Sequence, residues 1–307
     1  MSTSQPTVYI LVLHWRGLEN TRNCLASLRK LHYESYKILL VDNGSETLDG
    51  EKLEAEFPGI HLLRLPDNKG FAGGCNAGIA YCIERNAPFI WILNNDTVIA
   101  PETLTILVAA AEKEAKAAAL SAAVLDAVSQ ENIIPGRGVI DFHKAKSLLR
   151  PVNNNEPVEC DWLAASNLLL RSSALQEENK VNAFDERYFL YFEDTEICHR
   201  LRMKGWKCIF VPSARITHVG GASTGKILQH WRSYYHTRNR FLFFSTYTKG
   251  WQRLLAMLAI RAHVLRHRLS LPQKGDDGKR QLKAELMGER DFDRGVFGQC
   301  KDLDQLT

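Results

Sequence analysis

The first hundred residues alternate between short apolar runs and amphipathic stretches, and this alternation limits the possible folds more than any other feature of the chain. Val8–His14, rich in β-branched residues, reads as a buried strand. A helix capped at Asn20 or Thr21 follows, with Cys24, Leu25, Leu28 and Leu31 on one face. Ile38–Val41 and Ile60–Leu65 read as the second and third strands, and a glycine-rich turn over Gly70–Gly74 leads into a helix reaching about Arg85. Phe89–Leu93 gives a fourth strand, and Pro101 suits the start of a helix running to about Ala118. Such alternation implies an α/β fold with a mainly parallel sheet flanked by helices. Ligands of such sheets bind beyond the carboxyl ends of the strands, where this chain places His14, Asp42 and Asn94-Asn95-Asp96.

From 120 to 225 the pattern is less regular. Strands are expected at Gly138–Phe142, Leu163–Leu170, Cys208–Val211 and Ala214–Val219, with a helix from about Asp194 to Lys204. After Gly225 the chain turns helical and basic. These signals divide it into a body over 1–225 (a first half 1–100 and a second half 101–225), a basic aromatic helical extension over 226–271, and a polar tail over 272–307 that opens on a linker at Gly275-Asp276-Asp277-Gly278.

Charge follows the same division. The net charge of +4 over 307 residues hides 16 Lys and Arg against 8 Asp and Glu after Gly225, so an acidic body carries a basic end piece. Between Lys226 and Leu271 there are nine basic residues and no acid, interleaved with aromatics from Trp231 to Trp251. Hydrophobic residues at 45% and charged residues at 24% exclude a disordered chain. The N-terminus lacks the basic flank of a signal peptide, and the apolar run Leu254–Ile260 is far short of the ~20 residues that cross a bilayer. Seven cysteines without a CxxC spacing argue against zinc and a disulfide framework and fit a reducing, cytoplasmic compartment.

Several motifs have a bland reading beside a chemical one. The run Asn68–Gly78 does not match the dinucleotide fingerprint; its glycines suit a tight turn, or a helix start facing a diphosphate. Gly220–Lys226 satisfies GxxxxGK, but Ile227 stands where magnesium needs Ser or Thr, which excludes an ATPase and leaves Lys226 as a loop cation for phosphates. His263 and His267 lie four apart on a basic helix with no acid near them in sequence, and read as a solvated face. Asn94-Asn95-Asp96 reads as an Asx turn or as a carboxylate site for a hard cation. Glu193, Asp194 and Glu196 suit a helix N-terminus, and the apolar Phe189–Phe192 before them suits a water-excluding wall around a general base.

Taken in order, Val8–Trp15 with Thr21–Leu25, Val41–Ser45, Asn68–Asn76, Trp91–Asp96, Asp161–Leu163 with Phe184–Glu186, Phe189–Glu196, Thr217-His218 and Tyr234–Asn239 resemble glycosyltransferase family 2. These are the inverting GT-A nucleotide-sugar transferases, and the likeness is greatest to the rhamnosyltransferase and galactofuranosyltransferase branch. It covers roughly residues 7–245. The resemblance implies that His14 and Asp42 contact the donor base and ribose, with Asn68, Gly70, Phe71, Gly74, Asn76, Asn94, Asn95 and Lys226 completing the nucleotide-sugar pocket and Trp162 facing the acceptor. Asp96 takes the DxD position and, with His218, is implied to hold Mg2+ or Mn2+; Asn94 replaces the first acid and removes one charge. Asp194 matches the family's catalytic base, with Glu193 beside it.

The function this implies is transfer of a sugar, first choice L-rhamnose from dTDP-rhamnose, to a glycan or lipid-linked glycan. A UDP-sugar donor, an inactive sugar-binding scaffold, a nucleic-acid binder and a nucleotidyltransferase are the rivals. The scaffold has no need to keep Asp96, Asp194 and His218 together. Nucleic acid leaves the acidic residues unexplained, and His14–Gly17 is a poor nucleotidyltransferase loop. The basic segment 226–271 is expected to meet the inner face of a membrane, so the chain is placed in the cytoplasm with a peripheral contact there.

Overall fold

The computed structural model describes residues 5–127, 132–134, 136–176, 183–219 and 227–303. The chain begins β1 (Val8–His14), α1 (Leu18–Leu28), β2 (Tyr36–Asp42), α2 (Asp49–Glu56), β3 (His61–Arg64), α3 (Gly70–Glu84) and β4 (Phe89–Asn94). These four strands lie in the order β3-β2-β1-β4 and pair in parallel throughout. Side chains alternate between the two faces with period two. Val8, Ile10, Val12, Trp91 and Leu93 enter one core, and Tyr9, Leu11, Ile90 and Ile92 the other. Strands buried on both faces read as continuous apolar runs, which is why β1 and β4 were visible in the sequence. The order reverses between β1 and β4, and the crevice at such a switch point is where a ligand fits.

Beyond β4 come β5 (Thr97–Ile99), α4 (Thr103–Lys113), β6 (Ala117–Asp126), β7 (Asn132–Ile134), the hairpin β8 (Gly136–Asp141) and β9 (Lys146–Pro151), β10 (Val158–Cys160) and β11 (Asn167–Arg171). Then follow α5 (Ser172–Gln176), α6 (Glu193–Met203), β12 (Lys207–His218), α7 (Ile227–Tyr247), α8 (Gly250–Ser270) and α9 (Gly275–Asp293). The main sheet has ten strands and continues from β4 as β11-β6-β12-β10, with β5 on β12 and β7 on β6. This half is mixed: β11 runs antiparallel to both neighbours, while β12 and β6 are parallel.

Several local expectations are corrected. The helix after Pro101 ends at Lys113, and Ala117 and Ala118 open a strand. Alanine favours helix, but burial on both faces between β11 and β12 outweighs that preference. The first helix starts at Leu18 behind a left-handed Gly17, and neither Asn20 nor Thr21 caps it; Thr21 faces the strand ends instead. The glycines from 70 to 74 are the first turn of α3, not a turn before it. Gly70 has φ +71, and a Cβ there would sit 2.4 Å from the Phe189 carbonyl oxygen. The strand expected over Leu163–Leu170 begins only at Asn167, and the two short strands after Cys208 are one, β12, with a register shift between Val211 and Arg215 beside Pro212.

The linker expected at Gly275–Gly278 is the first turn of α9. Asp276 and Asp277 there suit the positive end of the helix, and Gly278 is small because a Cβ would meet the Leu271 carbonyl oxygen at 1.9 Å. Tyr234 donates to Asp291 at 2.8 Å, fixing α9 on α7. Five aromatics of α7 (Tyr234, Tyr235, Phe241, Phe243 and Phe244) are fully buried, so this half of the basic segment is mainly core. α7 thereby roofs the chain that precedes α6.

Candidate active site

The β1 and β2 ends form one wall. His14 is fully buried, its Nδ1 lies 2.8 Å from the Thr21 hydroxyl, and its Nε2 lies 3.9 Å from an Asp49 carboxylate oxygen. Burial lowers its pKa despite the nearby Asp42 and Asp49, so the ring is neutral at neutral pH. Asn95 donates to the same Thr21 hydroxyl at 2.7 Å and to the Arg16 carbonyl at 2.8 Å, tying the β4 turn to the chain after β1. Asp42 is also buried and accepts from the backbone and hydroxyl of Ser45 at 2.9 and 2.8 Å. Asn68 accepts from Gly70 N–H at 2.8 Å and from Asn43, which also donates to the Gly70 carbonyl. Gly74 lies against Leu13 and Asn43. Phe71 packs edge-on to Phe184, and Asn76 bonds the Phe184 backbone in both directions and donates to Glu186. Asn76 thus fixes the chain that leads to α6.

At the β4 end, β5 pairs antiparallel with β12 and brings Thr97 opposite His218. Val219 N–H donates to the Asp96 carbonyl at 2.9 Å, and His218 Nδ1 lies 3.4 Å from Asp96 Oδ1. Two residues 122 positions apart in sequence thereby share one corner. The neighbouring Asp96 carboxylate raises the His218 pKa against the effect of burial. Asp96 Oδ1 is buried and makes no hydrogen bond among the described residues. A carboxylate oxygen with an open position beside an imidazole nitrogen is a donor pair that fits Mg2+ or Mn2+. Among the described residues no group of three His, Cys, Asp or Glu converges.

Glu193 and Asp194 open α6 after a contorted approach. Phe189, Tyr191 and Phe192 all have positive φ (62°, 66° and 72°), unfavourable for residues with a Cβ. Two buried side chains of α7 hold this turn. Arg238 donates to the carbonyls of Arg187 and Tyr188 at 3.0 Å and of Gly298 at 2.6 Å. Asn239 donates to the carbonyls of Tyr188, Leu190 and Tyr191 at 2.7–2.9 Å. Asp194 accepts from Ala165 N–H at 3.4 Å and from Thr195, and the neighbouring Ser166 carbonyl accepts from Asn94 N–H at 3.0 Å. The two-residue segment Ala165-Ser166 therefore ties the α6 carboxylate to the strand end that carries Asp96. Burial raises the pKa of both carboxyls; backbone N–H bonds oppose it for Asp194, while the charge of Asp194 adds to it for Glu193. Trp162 bridges to Gly138, with its indole N–H buried and unbonded among the described residues.

A cleft of about 920 Å3 takes in the Asp96–His218 corner and the turn that precedes α6. Asn94, Asp96 and His218 line it together with Tyr191 and Phe192 and with residues of α7, α8, α9 and β9. Lys226 lies outside the described residues. His263 and His267 line this cleft, and α9 brings Glu285 within 2.9 Å of His267, so the expectation of a solvated face without a nearby acid is corrected. The sequence reading also missed Arg238 and Asn239. Their signal was present: they fall four residues after Tyr234 and Tyr235, on the aromatic face of α7.

The sequence profile described as Glycosyl transferase family 2 matches residues 10–175. The chain is 29% identical over 274 residues to the N-acetylglucosaminyl-diphospho-decaprenol L-rhamnosyltransferase of Mycobacterium tuberculosis, a match covering 78% of this chain and 87% of that protein. It is 24% identical to the rhamnosyltransferase WbbL of Escherichia coli (strain K12), covering 69% of this chain and 83% of that one. Among solved structures it is similar to GalNAc-T7 with UDP, GalNAc and Mn2+ (TM-score 0.60, 15% identity), covering 83% of this chain and 55% of that one. It is also similar to the mannosyltransferase PcManGT of Pyrobaculum calidifontis in complex with GDP-Man and Mn2+ (TM-score 0.58, 13% identity), covering 94% and 88%.

Proposed function

This chain belongs to glycosyl transferase family 2, and on that premise we propose that it transfers L-rhamnose from dTDP-rhamnose, with inversion, to a glycan or lipid-linked glycan acceptor. The observation that carries the reading is the convergence of Asp96 and His218 with Glu193 and Asp194 at the carboxyl edge of the sheet, joined through Ala165-Ser166. Asp194 takes the proton of the acceptor hydroxyl as that oxygen attacks the anomeric carbon. Glu193 is the more deeply buried of the two and holds its own proton, which leaves a single negative charge on the pair. Asp96 and His218 would hold a divalent cation, which would supply positive charge against the departing diphosphate. The β1 and β2 ends, with His14, Asp42 and Asn68, shape the nucleoside pocket. The two rhamnosyltransferase relatives support the choice of sugar.

A donor screen with purified protein, reading release of dTDP, UDP or GDP with and without chelator, tests this. Release from dTDP-rhamnose is expected, with loss in EDTA and recovery in Mn2+. Release from UDP-sugars alone would shift the donor, and full activity in chelator would remove the metal from Asp96 and His218.

The membrane contact belongs to α8. Trp251, Leu254, Leu255, Leu258, Leu265 and Leu269 are all exposed, and their spacing of three and four residues puts them on one stripe. Ala256, Ile260 and Val264 are buried on the opposite side, so the stripe points away from the body. Arg266 and Arg268 flank it, and no helix among the described residues is long and apolar enough to cross a membrane. This is the pattern of a helix lying in the headgroup region of an anionic bilayer. Leu255→Ser with Leu258→Ser is expected to reduce co-sedimentation with phosphatidylglycerol vesicles by at least about tenfold, at ~0.8 kcal/mol per buried CH2 withdrawn. Unchanged co-sedimentation would rule out α8 as the contact.

A further inference from the structure

Four aromatic rings run without a break from the nucleoside wall to the turn that carries the α6 carboxylates. Trp15 follows His14 directly, and its ring stacks on Trp231 of α7 with centroids 6.3 Å apart and planes 29° from parallel. One helical turn on, Tyr235 lies 6.5 Å from Trp231 and stacks on Phe189 at 5.4 Å and 21°. Each spacing is that of an attractive aromatic pair. Phe189 is the first residue of the turn with positive φ (62°). Both ends of the row are anchored. At the wall the Arg16 guanidinium lies 4.2 Å from the Trp15 ring centroid and 3.6 Å from Glu46 beyond β2, and the Arg16 carbonyl accepts from Asn95. At the turn, Ala72 N–H of α3 donates to the Phe189 carbonyl at 3.3 Å, and the Tyr235 hydroxyl accepts from Cys300 N–H at 3.1 Å. Trp231 between them has no polar anchor: its indole N–H is buried and makes no hydrogen bond among the described residues, so ring packing sets its place.

We propose that Trp231 is a positioning residue for transfer: through it, a nucleotide bound at the β1 end restrains the turn that presents Asp194. This rests on the transfer reading above and adds to it a coupling between the donor pocket and the base. Arg238 and Asn239 hold the turn from α7, and the Trp15–Trp231 stack ties α7 to the wall where the nucleoside fits. A nucleoside packed against the β1 end limits the motion of Trp15, which limits Trp231 and Tyr235 in turn. Phe189 then has less room to relax from its strained backbone conformation, and the two carboxyls that follow it keep their place. A turn held by Arg238 and Asn239 alone would be equally ordered with and without donor. That difference separates a coupling residue from a merely structural one.

The test is hydrogen exchange of the backbone amides of residues 186–195 in the full chain, alone and with saturating dTDP, UDP or GDP, beside steady-state nucleotide release. In the wild type the nucleotide that binds is expected to slow exchange there by about fivefold. Trp231→Ala is expected to lose this protection while its nucleotide affinity stays within about fivefold of the wild type, the most that losing such a coupling can change. Its kcat is expected to fall by about tenfold with donor KM little changed. Trp231→Phe keeps a ring between Trp15 and Tyr235 and is expected to regain most of the protection and the turnover. Trp15→Leu breaks the stack from the other side and gives the same exchange readout if Trp231→Ala fails to fold. Protection that survives in Trp231→Ala, or a Trp231→Phe no better than Trp231→Ala, would overturn the proposal and leave the transfer reading intact. A wild type that binds a nucleotide without slower exchange over 186–195 would do the same. A wild type that binds none of the three nucleotides would defeat the transfer reading and the coupling together.

Discussion

Asp194→Asn is expected to lower nucleotide release from the donor by about 10²–10⁴-fold while dTDP affinity stays unchanged. The asparagine keeps the size of the side chain and an oxygen for the Thr195 N–H, giving up only the longer 3.4 Å bond from Ala165 N–H, so the opening of α6 is kept while the proton acceptor is lost. Glu193→Gln separates the two carboxyls. Its Oε2 is buried without a hydrogen bond among the described residues, and burial beside Asp194 raises its pKa well above the usual carboxylate range. Gln imitates the protonated acid, so this variant keeps most of its turnover. The signs of the pH effects differ as well. Asp194 has to be ionised to act, and its raised pKa moves the acidic limb of the rate profile above the ordinary carboxylate value. For stability, a carboxyl whose folded pKa is raised favours the fold below its unfolded value and loses that contribution as pH rises through the folded one. Glu193→Gln should therefore flatten the fall in stability with rising pH. Steady-state release, calorimetric dTDP binding and denaturation across pH read these outcomes. Substantial turnover by Asp194→Asn would remove it as the base.

What the sequence shows of this site follows the range of the interactions. Continuous apolar runs made β1 and β4 legible, and their polar ends placed His14 and Asp96 at the ligand edge of the sheet. Asp96 and His218 were paired only through the family resemblance; the contact itself depends on β5 folding back onto β12, which no local pattern reports. Ala117–Asp126 misleads because its alanines favour helix in isolation, and strand pairing on both sides decides its state. The aromatics of α7 misleadingly suggested a surface, since a helix that roofs a catalytic turn needs the same residue types as one that meets lipid. Arg238 and Asn239 stood in plain view within Tyr234–Asn239, but their partners are backbone carbonyls, and carbonyls carry no side-chain identity that a sequence can show.

Arg238→Met is expected to cost about 3–5 kcal/mol of stability and to lower turnover in the population that remains folded. Met fills much of the same apolar volume, so the loss reports the hydrogen bonds more than the packing. The carbonyls of Arg187, Tyr188 and Gly298 lose a buried charged donor, and each such loss costs about 1–3 kcal/mol, with less than full additivity among neighbours. The effect on turnover has a different source. The three departures from ordinary φ at Phe189, Tyr191 and Phe192 cost about 1–3 kcal/mol each, and they persist only because α7 holds the carbonyls around them. Released, the turn relaxes and Asp194 leaves its place beside Ala165 and the Asp96 strand end. Arg238 is thus a positioning residue, and its variant should lose kcat with little change in donor KM. Arg238→Lys restores the charge without the planar fork and should recover part of the stability and less of the turnover. Urea denaturation and steady-state rates on the folded fraction check both. A wild-type urea midpoint with unchanged kcat would mean that the strained turn is held by Asn239 and the aromatic packing alone, and that α7 does not set the geometry of the base.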